Sequence, residues 1–237
     1  EAVRRAAPSA HVLLVSSLAA AGPSSNGHAV RVDEDPRPVS AYGRSKLGGE
    51  AALKSAGVPF TILRPSAVYG PRETAIRDLF VAASRGFVPV LAGGRARIQL
   101  VYSADLAQAV VAALERGGRG ETFFAAHPRV LDYREIAATL AALRKPPARL
   151  FPVPGPLIRG AGLLAGWLTA FAPGPPVFNR EKAHELLQPA WVCDVSDSQA
   201  ALGQPFRTDF VQGAEATYAW YREMGWIGRG SPRSRAL

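Results

Sequence analysis

The chain has 237 residues, is 48% hydrophobic, and carries 28 Lys and Arg against 19 Asp and Glu, a formal net charge of +9. That length and composition allow a sizeable core, as one domain or a domain with a smaller lobe. A single cysteine, Cys193, excludes an intramolecular disulfide framework and a Cys-rich zinc site, and makes a reducing cytoplasm the expected compartment. The basic residues are spread from Arg4 to Arg235 without a dense run, so no nucleic-acid partner is expected despite the charge.

In chain order, Glu1 to Ala7 reads as the end of a helix, and "HVLLVSS" (11–17) as a strand buried on both faces of a parallel sheet. The Gly-, Pro- and Ser-rich stretch from Gly22 to Pro38 is a loop. From Ser40 the pattern turns helical, with Leu47, Ala51 and Ala52 on one side and Gly57 closing it. "VPFTILRP" is a second buried strand, stopped by Pro65. Arg72 to Arg85 reads as a helix and "ARIQLVY" as one strand. The next helix, "SADLAQAVVAALERG", has an apolar stripe of Leu106, Val110, Ala113 and Leu114. "ETFFAA" is a strand, and "DYREIAATLAALR" a helix with Asp132 as N-cap and Glu135 as its capping-box partner. Strands alternating with helices imply a parallel α/β sheet with right-handed crossovers.

Beyond Lys145 the composition shifts to Pro, Gly and large apolar residues, then to helical stretches near Arg180–Leu187 and Asp209–Met224, the pattern of a smaller, mostly helical lobe. Leu157 to Ala172 is apolar but interrupted by Arg159, flanked by prolines, and shorter than the about 20 residues of a bilayer span, so it predicts a buried or pocket-lining helix and no stable membrane insertion. The last residues, 229–237, read as a disordered tail.

Two side chains at helical spacing carry chemistry. Tyr42 and Lys46, the latter one of four lysines, lie four apart and so share a helix face one turn apart. At pH 7 only roughly one free phenol in a thousand is ionised, and a neighbouring ammonium favours the phenolate, which turns Tyr into a usable acid or base. Ser16 and Ser17 end the preceding strand, where open α/β sheets bind ligands. His11, His28, His127 and His184 show no metal-ligand spacing, so no metal is expected.

A strand ending in Ser17, the Y-x-x-x-K helix 25 residues later, "RPSAVYGPRE" and "LVYSADLAQAVVAALE" together resemble the extended short-chain dehydrogenase/reductase superfamily. This is the group of NAD-dependent epimerases, dehydratases and 3β-hydroxysteroid dehydrogenase-like reductases. The ending "DVSDSQAALGQPFRTDFVQGAEATYAWYREMGWI" is similar to the group's terminal D-x-S-x-A-x-x-L-G and W-Y segment, and the likeness covers nearly the whole chain.

The resemblance implies an α/β fold: residues 1–127 as the C-terminal part of a Rossmann-type, doubly wound nucleotide-binding domain, and residues 128–228 as a substrate-binding lobe. It implies NAD or NADP as cofactor, a small-molecule substrate, and a homodimer through the Tyr42–Lys46 helix. Tyr42 would be the general acid/base, Lys46 would support its ionisation and hold the nicotinamide ribose, and Ser17 would orient the substrate oxygen. Pro65 and Ser66 fall where the backbone of that superfamily approaches the nicotinamide.

Two departures stand out. No G-x-x-G-x-x-G phosphate loop occurs in the 237 residues, and the resemblance places it about 100 residues before Glu1. Ala21 stands where many nucleotide-sugar enzymes have Tyr, so "SSLAAAGPSS" is closer to 3β-hydroxysteroid dehydrogenase-like and dihydroflavonol reductase-like members. The expected function is therefore NAD(P)-dependent oxidation or reduction of a secondary alcohol or ketone on a hydrophobic small molecule. The alternatives are a nucleotide-sugar epimerase or dehydratase, and a non-catalytic dinucleotide-binding scaffold.

Overall fold

The structure, a computed structural model, describes residues 2–7, 9–25, 27–169 and 179–228. A short helix α1 (Ala2–Ala6) leads into β1 (Val12–Val15), the one-turn helix α2 (Leu18–Ala21), a long loop, α3 (Ala41–Lys54) and β2 (Phe60–Pro65). Next come β3 (Ala67–Tyr69), α4 (Arg77–Arg85), β4 (Phe87–Leu91), β5 (Arg97–Ile98), β6 (Leu100–Tyr102) and α5 (Ser103–Glu115). The chain continues through β7 (Glu121–Ala125), β8 (Leu131–Asp132), α6 (Tyr133–Ala142), β9 (Arg149–Val153) and α7 (Gly155–Thr169). It closes with α8 (Arg180–Leu186), β10 (Ala190–Trp191), α9 (Ser196–Ala201) and α10 (Phe210–Glu223).

The main sheet is parallel, ordered β1-β2-β7, with Val12 opposite Phe60 and Thr61 opposite Glu121. Its central strand β2 is buried as its apolar run predicts, Ile62 and Leu63 being fully enclosed. Among the described residues β1 is the outer strand of this sheet rather than one covered on both sides: its first three residues are half-buried and Val15 is 41% exposed.

Beside this sheet lie short strand pairs: β3 parallel to β6, β4 parallel to β9, and β5 between β8 and β10. "ARIQLVY" is therefore not one strand. It divides at buried Gln99, whose amide carbonyl accepts from Cys193 N at 2.8 Å, and the two halves join different sheets. These pairings also cross residue 127, since β4 and β5 precede it and β8, β9 and β10 follow it. Asp105 adds a second tie across that position: its carboxylate accepts from Thr208 N at 2.7 Å and Thr208 Oγ1 at 2.8 Å.

Several local expectations are met in detail. Asp132 Oδ1 accepts from Glu135 N at 2.7 Å while Glu135 Oε2 accepts from Asp132 N at 2.9 Å, the reciprocal capping box that starts α6. Others are corrected. The helix anticipated from Arg72 begins at Arg77, and the inward side of α3 is Gly43 and Glu50 rather than Ala51 and Ala52, which are exposed. The C-terminal region contains β9 and β10 as well as helices. Over residues 155–165, α7 is largely exposed rather than buried: Ile158 and Gly162 face inward, while Leu157, Leu163 and Leu164 are open to solvent. Residues 170–172 of that apolar segment and the tail at 229–237 lie outside the described residues.

One core gathers α4, α6 and α10 around Tyr69, Phe80, Leu140, Phe210 and Tyr221, with Phe80 and Tyr221 edge-to-face at 5.3 Å. The terminal W-Y pair is thus structural: Tyr221 Oη donates to Glu73 O at 2.5 Å, and Trp220 stacks edge-on against Trp226. A second core lies under α5 between Leu63, Val101, Phe123 and Phe206.

Cys193 is buried beside Phe124 and Val195, and burial, reinforced by the Asp194 carboxylate, pushes its thiol well above the ordinary range. Because the thiolate is the reacting species, a thiol-specific reagent should label the folded chain only as fast as the chain opens, and label it at once in denaturant. Rapid labelling of the folded chain would contradict this packing.

Candidate active site

The site forms at the carboxyl end of β1, where an open α/β sheet leaves its crevice. Ser17, two residues beyond the strand, caps α2, its Oγ accepting from Ala19 N at 3.1 Å. Ser40 caps α3 in the same manner, its buried Oγ accepting from Gly43 N at 3.1 Å. Gly43 decides how the two helices meet. A Cβ at this position would sit 2.3 Å from Ala19 O, so only glycine lets the first turn of α3 press against the turn that Ser17 caps.

Tyr42 stands on that first turn with its ring 53% exposed, and Lys46 lies one turn further on. Lys46 Nζ is 5.8 Å from the centroid of the Tyr42 ring and donates to Val15 O, the last carbonyl of β1, at 3.2 Å. An ammonium has three N–H donors, so two remain to offer a ligand. The Ser17 hydroxyl accepts from the backbone and keeps its own proton to donate. The ammonium is thereby tied to the end of β1, with the Tyr42 ring beside it and Ser17 capping the helix that α3 packs against.

Pro65 and Ser66 lie at the end of the adjoining strand β2, where Ser66 N donates to Ala125 O at 3.0 Å. Ser66 Oγ is buried and has no hydrogen-bond partner among the described residues. The two remaining Lys46 donors fit the polar nicotinamide-ribose end of a dinucleotide. The pyrophosphate end has no counterpart here, since no glycine-rich loop of that spacing occurs in the sequence.

Glu50, which the spacing argument passed over, continues the Tyr42–Lys46 stripe by one more turn and is fully buried. Its Oε1 accepts from Ser16 Oγ at 2.5 Å and Arg64 Nε at 3.0 Å, and its Oε2 accepts from an Arg64 Nη at 2.7 Å. Arg64 is itself buried, its guanidinium 5.8 Å from the Phe124 ring centroid. The pair binds α3 to β1, β2 and β7 at once. Two signals were available: a Glu at the third step of Y-x-x-x-K-x-x-x-E, and an arginine within an otherwise apolar strand.

Tyr69, Arg97 and Arg72 take up other positions in the fold. Tyr69 is buried, its phenol pushed upward by desolvation and by the Asp105 and Asp209 carboxylates, and it packs edge-on against Phe210 at 5.1 Å. Arg97 donates to Gly27 O at 3.3 Å, in the loop between α2 and α3. Arg72 sits in the turn before α4 with φ of 70°.

Removing one partner of a buried ion pair strands the other, at a cost of about 3–5 kcal/mol. Glu50→Gln should lower unfolding stability in urea by roughly that amount, and Arg64→Met on top of it should restore part of the loss; a silent Glu50→Gln would show that the pair does not hold α3. Gly43→Ala should cost roughly 1–3 kcal/mol and displace the first turn of α3, visible as altered quenching of Tyr42 fluorescence.

The NAD dependent epimerase/dehydratase family matches residues 1–126. Over 228 residues the chain is 32% identical to a ceramide reductase of Caulobacter vibrioides, covering 96% of this chain and 66% of that protein. Over 143 residues it is 30% identical to a dTDP-L-rhamnose 4-epimerase of Burkholderia thailandensis, covering 54% of this chain and 37% of the other. Its fold is that of the UDP-glucuronic acid 4-epimerase of Bacillus cereus, solved with NAD, at a TM-score of 0.72 and 20% identity over 94% of this chain and 65% of the epimerase. The chain therefore spans about two thirds of the length of both the ceramide reductase and this epimerase. With the family match covering more than half of its residues, this chain belongs to the NAD dependent epimerase/dehydratase family.

Proposed function

We propose that this chain supplies the catalytic acid/base centre of an NAD(P)-dependent oxidoreductase that interconverts a secondary alcohol and a ketone on a hydrophobic small molecule. The observation that carries the reading is Lys46 Nζ tied to Val15 O at the carboxyl end of β1, with the Tyr42 ring beside Lys46 on α3 and Ser17 capping the helix that α3 packs against. Residues 1–127 contribute this centre and residues 128–228 most of the substrate side.

When bound, the nicotinamide exchanges a hydride with the substrate carbon. The work of this chain is proton transfer and positioning. Tyr42 Oη gives a proton to the substrate oxygen in reduction and takes it back in oxidation. Lys46, held at fixed height by the strand carbonyl, places positive charge beside the phenol and offers its two remaining N–H groups to the ribose. Ser17 donates to the substrate oxygen and fixes its angle, and the backbone at Pro65 and Ser66 would lie along the nicotinamide. The hydrophobic substrate class is supported by the likeness to a ceramide reductase, which extends over 96% of this chain.

A second reading, a nucleotide-sugar epimerase or dehydratase, is favoured by the 30% identity to the rhamnose epimerase, although that likeness reaches only 54% of this chain. The two differ in redox balance: an oxidoreductase changes NADH absorbance with turnover, an epimerase returns it unchanged.

In the full-length protein, Tyr42→Phe should lower kcat by about 10²–10⁴-fold while the dinucleotide dissociation constant, read by NADH fluorescence, stays within a few fold. Lys46→Ala should worsen both. Normal turnover by Tyr42→Phe would remove Tyr42 from the reaction, and steady absorbance with sugar-nucleotide turnover would select the second reading.

A further inference from the structure

The apolar surface of β9 and α7 is not explained by the fold or by the proposed reaction. Of α7, Ile158 and Gly162 pack inward; a Cβ at Gly162 would sit 2.7 Å from the Ala183 Cβ, so α7 lies directly on α8. The opposite side presents Leu157 at 64%, Leu163 at 57% and Leu164 at 61% exposure. One residue before α7, β9 presents Leu150 and Phe151 to solvent, the latter 62% exposed. A helix this apolar around its circumference is ordinarily covered, and solvent-exposed patches of this kind mark interaction surfaces.

Charge identifies the cover. From Ile136 to Arg180 the sequence contains no Asp or Glu, while Arg144, Lys145, Arg149, Arg159 and Arg180 lie within it. Arg159 is four residues before Leu163 and so on the same side of the helix, in the position from which a long cationic side chain reaches past an apolar face to a headgroup layer. Exposed leucines rimmed by unopposed cations complement an anionic lipid surface. A second copy would set the same cations against one another.

We propose that β9 and α7 dock this protein in the plane of an anionic phospholipid bilayer, with Leu157, Leu163, Leu164 and Phe151 entering the headgroup boundary and Arg149 and Arg159 meeting lipid phosphates. This is adsorption at the interface, as amphipathic helices achieve it, not insertion across it. It also places the bilayer one helix from the reaction centre, because α8 carries Glu181, which accepts from Ala41 N at 3.0 Å and from Arg44 at 3.3 Å on the first turn of α3. The docking rests on the surface alone and holds whichever substrate reading is right.

The test is co-flotation of the full-length protein with phosphatidylcholine vesicles, plain or with about 30% phosphatidylglycerol. Binding is expected to the anionic vesicles only and to weaken with added salt. Leu157→Ser/Leu163→Ser/Leu164→Ser should reduce the anionic-vesicle affinity at least tenfold with an unchanged melting curve, since all three side chains are already in solvent. Arg149→Gln and Arg159→Gln should each cost about fivefold. Full binding by the triple-serine variant would reduce the effect to net charge and overturn the proposal. So would absence of binding in the parent chain, or a dimer in sedimentation velocity that the same serines dissociate.

Discussion

A single buried ion pair fixes the part of the molecule on which its chemistry depends. Glu50 and Arg64 are both withdrawn from water, and with Ser16 they join the third turn of α3 to two neighbouring strands. Burying two charges is expensive, and similar volumes of hydrocarbon often stabilise a fold as well or better. What hydrocarbon cannot supply is direction. A bidentate guanidinium–carboxylate contact has one good geometry, so α3 has one rotation about its axis and one height along β1. Lys46 and Tyr42, one and two turns before Glu50, inherit both settings.

Glycine at position 43 completes this arrangement from the other end of the stripe. The carboxylate sets where the helix points, and the missing side chain sets how near its first turn comes to α2. Lys46 then measures the result, since its reach to Val15 O depends on both. Glu181 on α8 takes hold of the same first turn from the opposite side, so movement of the C-terminal lobe is felt directly at Tyr42.

The parts legible in the sequence are those set by local pattern. The run 58–65 gives β2, the Asp132 and Glu135 spacing gives the start of α6, and Y-x-x-x-K gives two side chains on one face. Burial was less legible, because it depends on neighbours far along the chain. Among the described residues β1 has a core-strand composition at a sheet edge, and α7 has a core-helix composition on the surface. Short strands such as β5 and β10 leave no periodicity of two to detect, and 96–102 reads as one strand because nothing local marks Gln99 as the point where partners change. Glu50 and Arg64 escaped for a related reason: a charge is expected at the surface until its partner is known to share its depth.

The tie between Asp105 and Thr208 carries a consequence for how the molecule comes apart. Together with the strand pairs β4–β9 and β5–β8, it makes each half of the chain complete its hydrogen bonding with atoms of the other. Such mutual hydrogen bonding couples the two stretches, so two lobes that look separable in composition are expected to unfold together. A break introduced between them is then expected to loosen both.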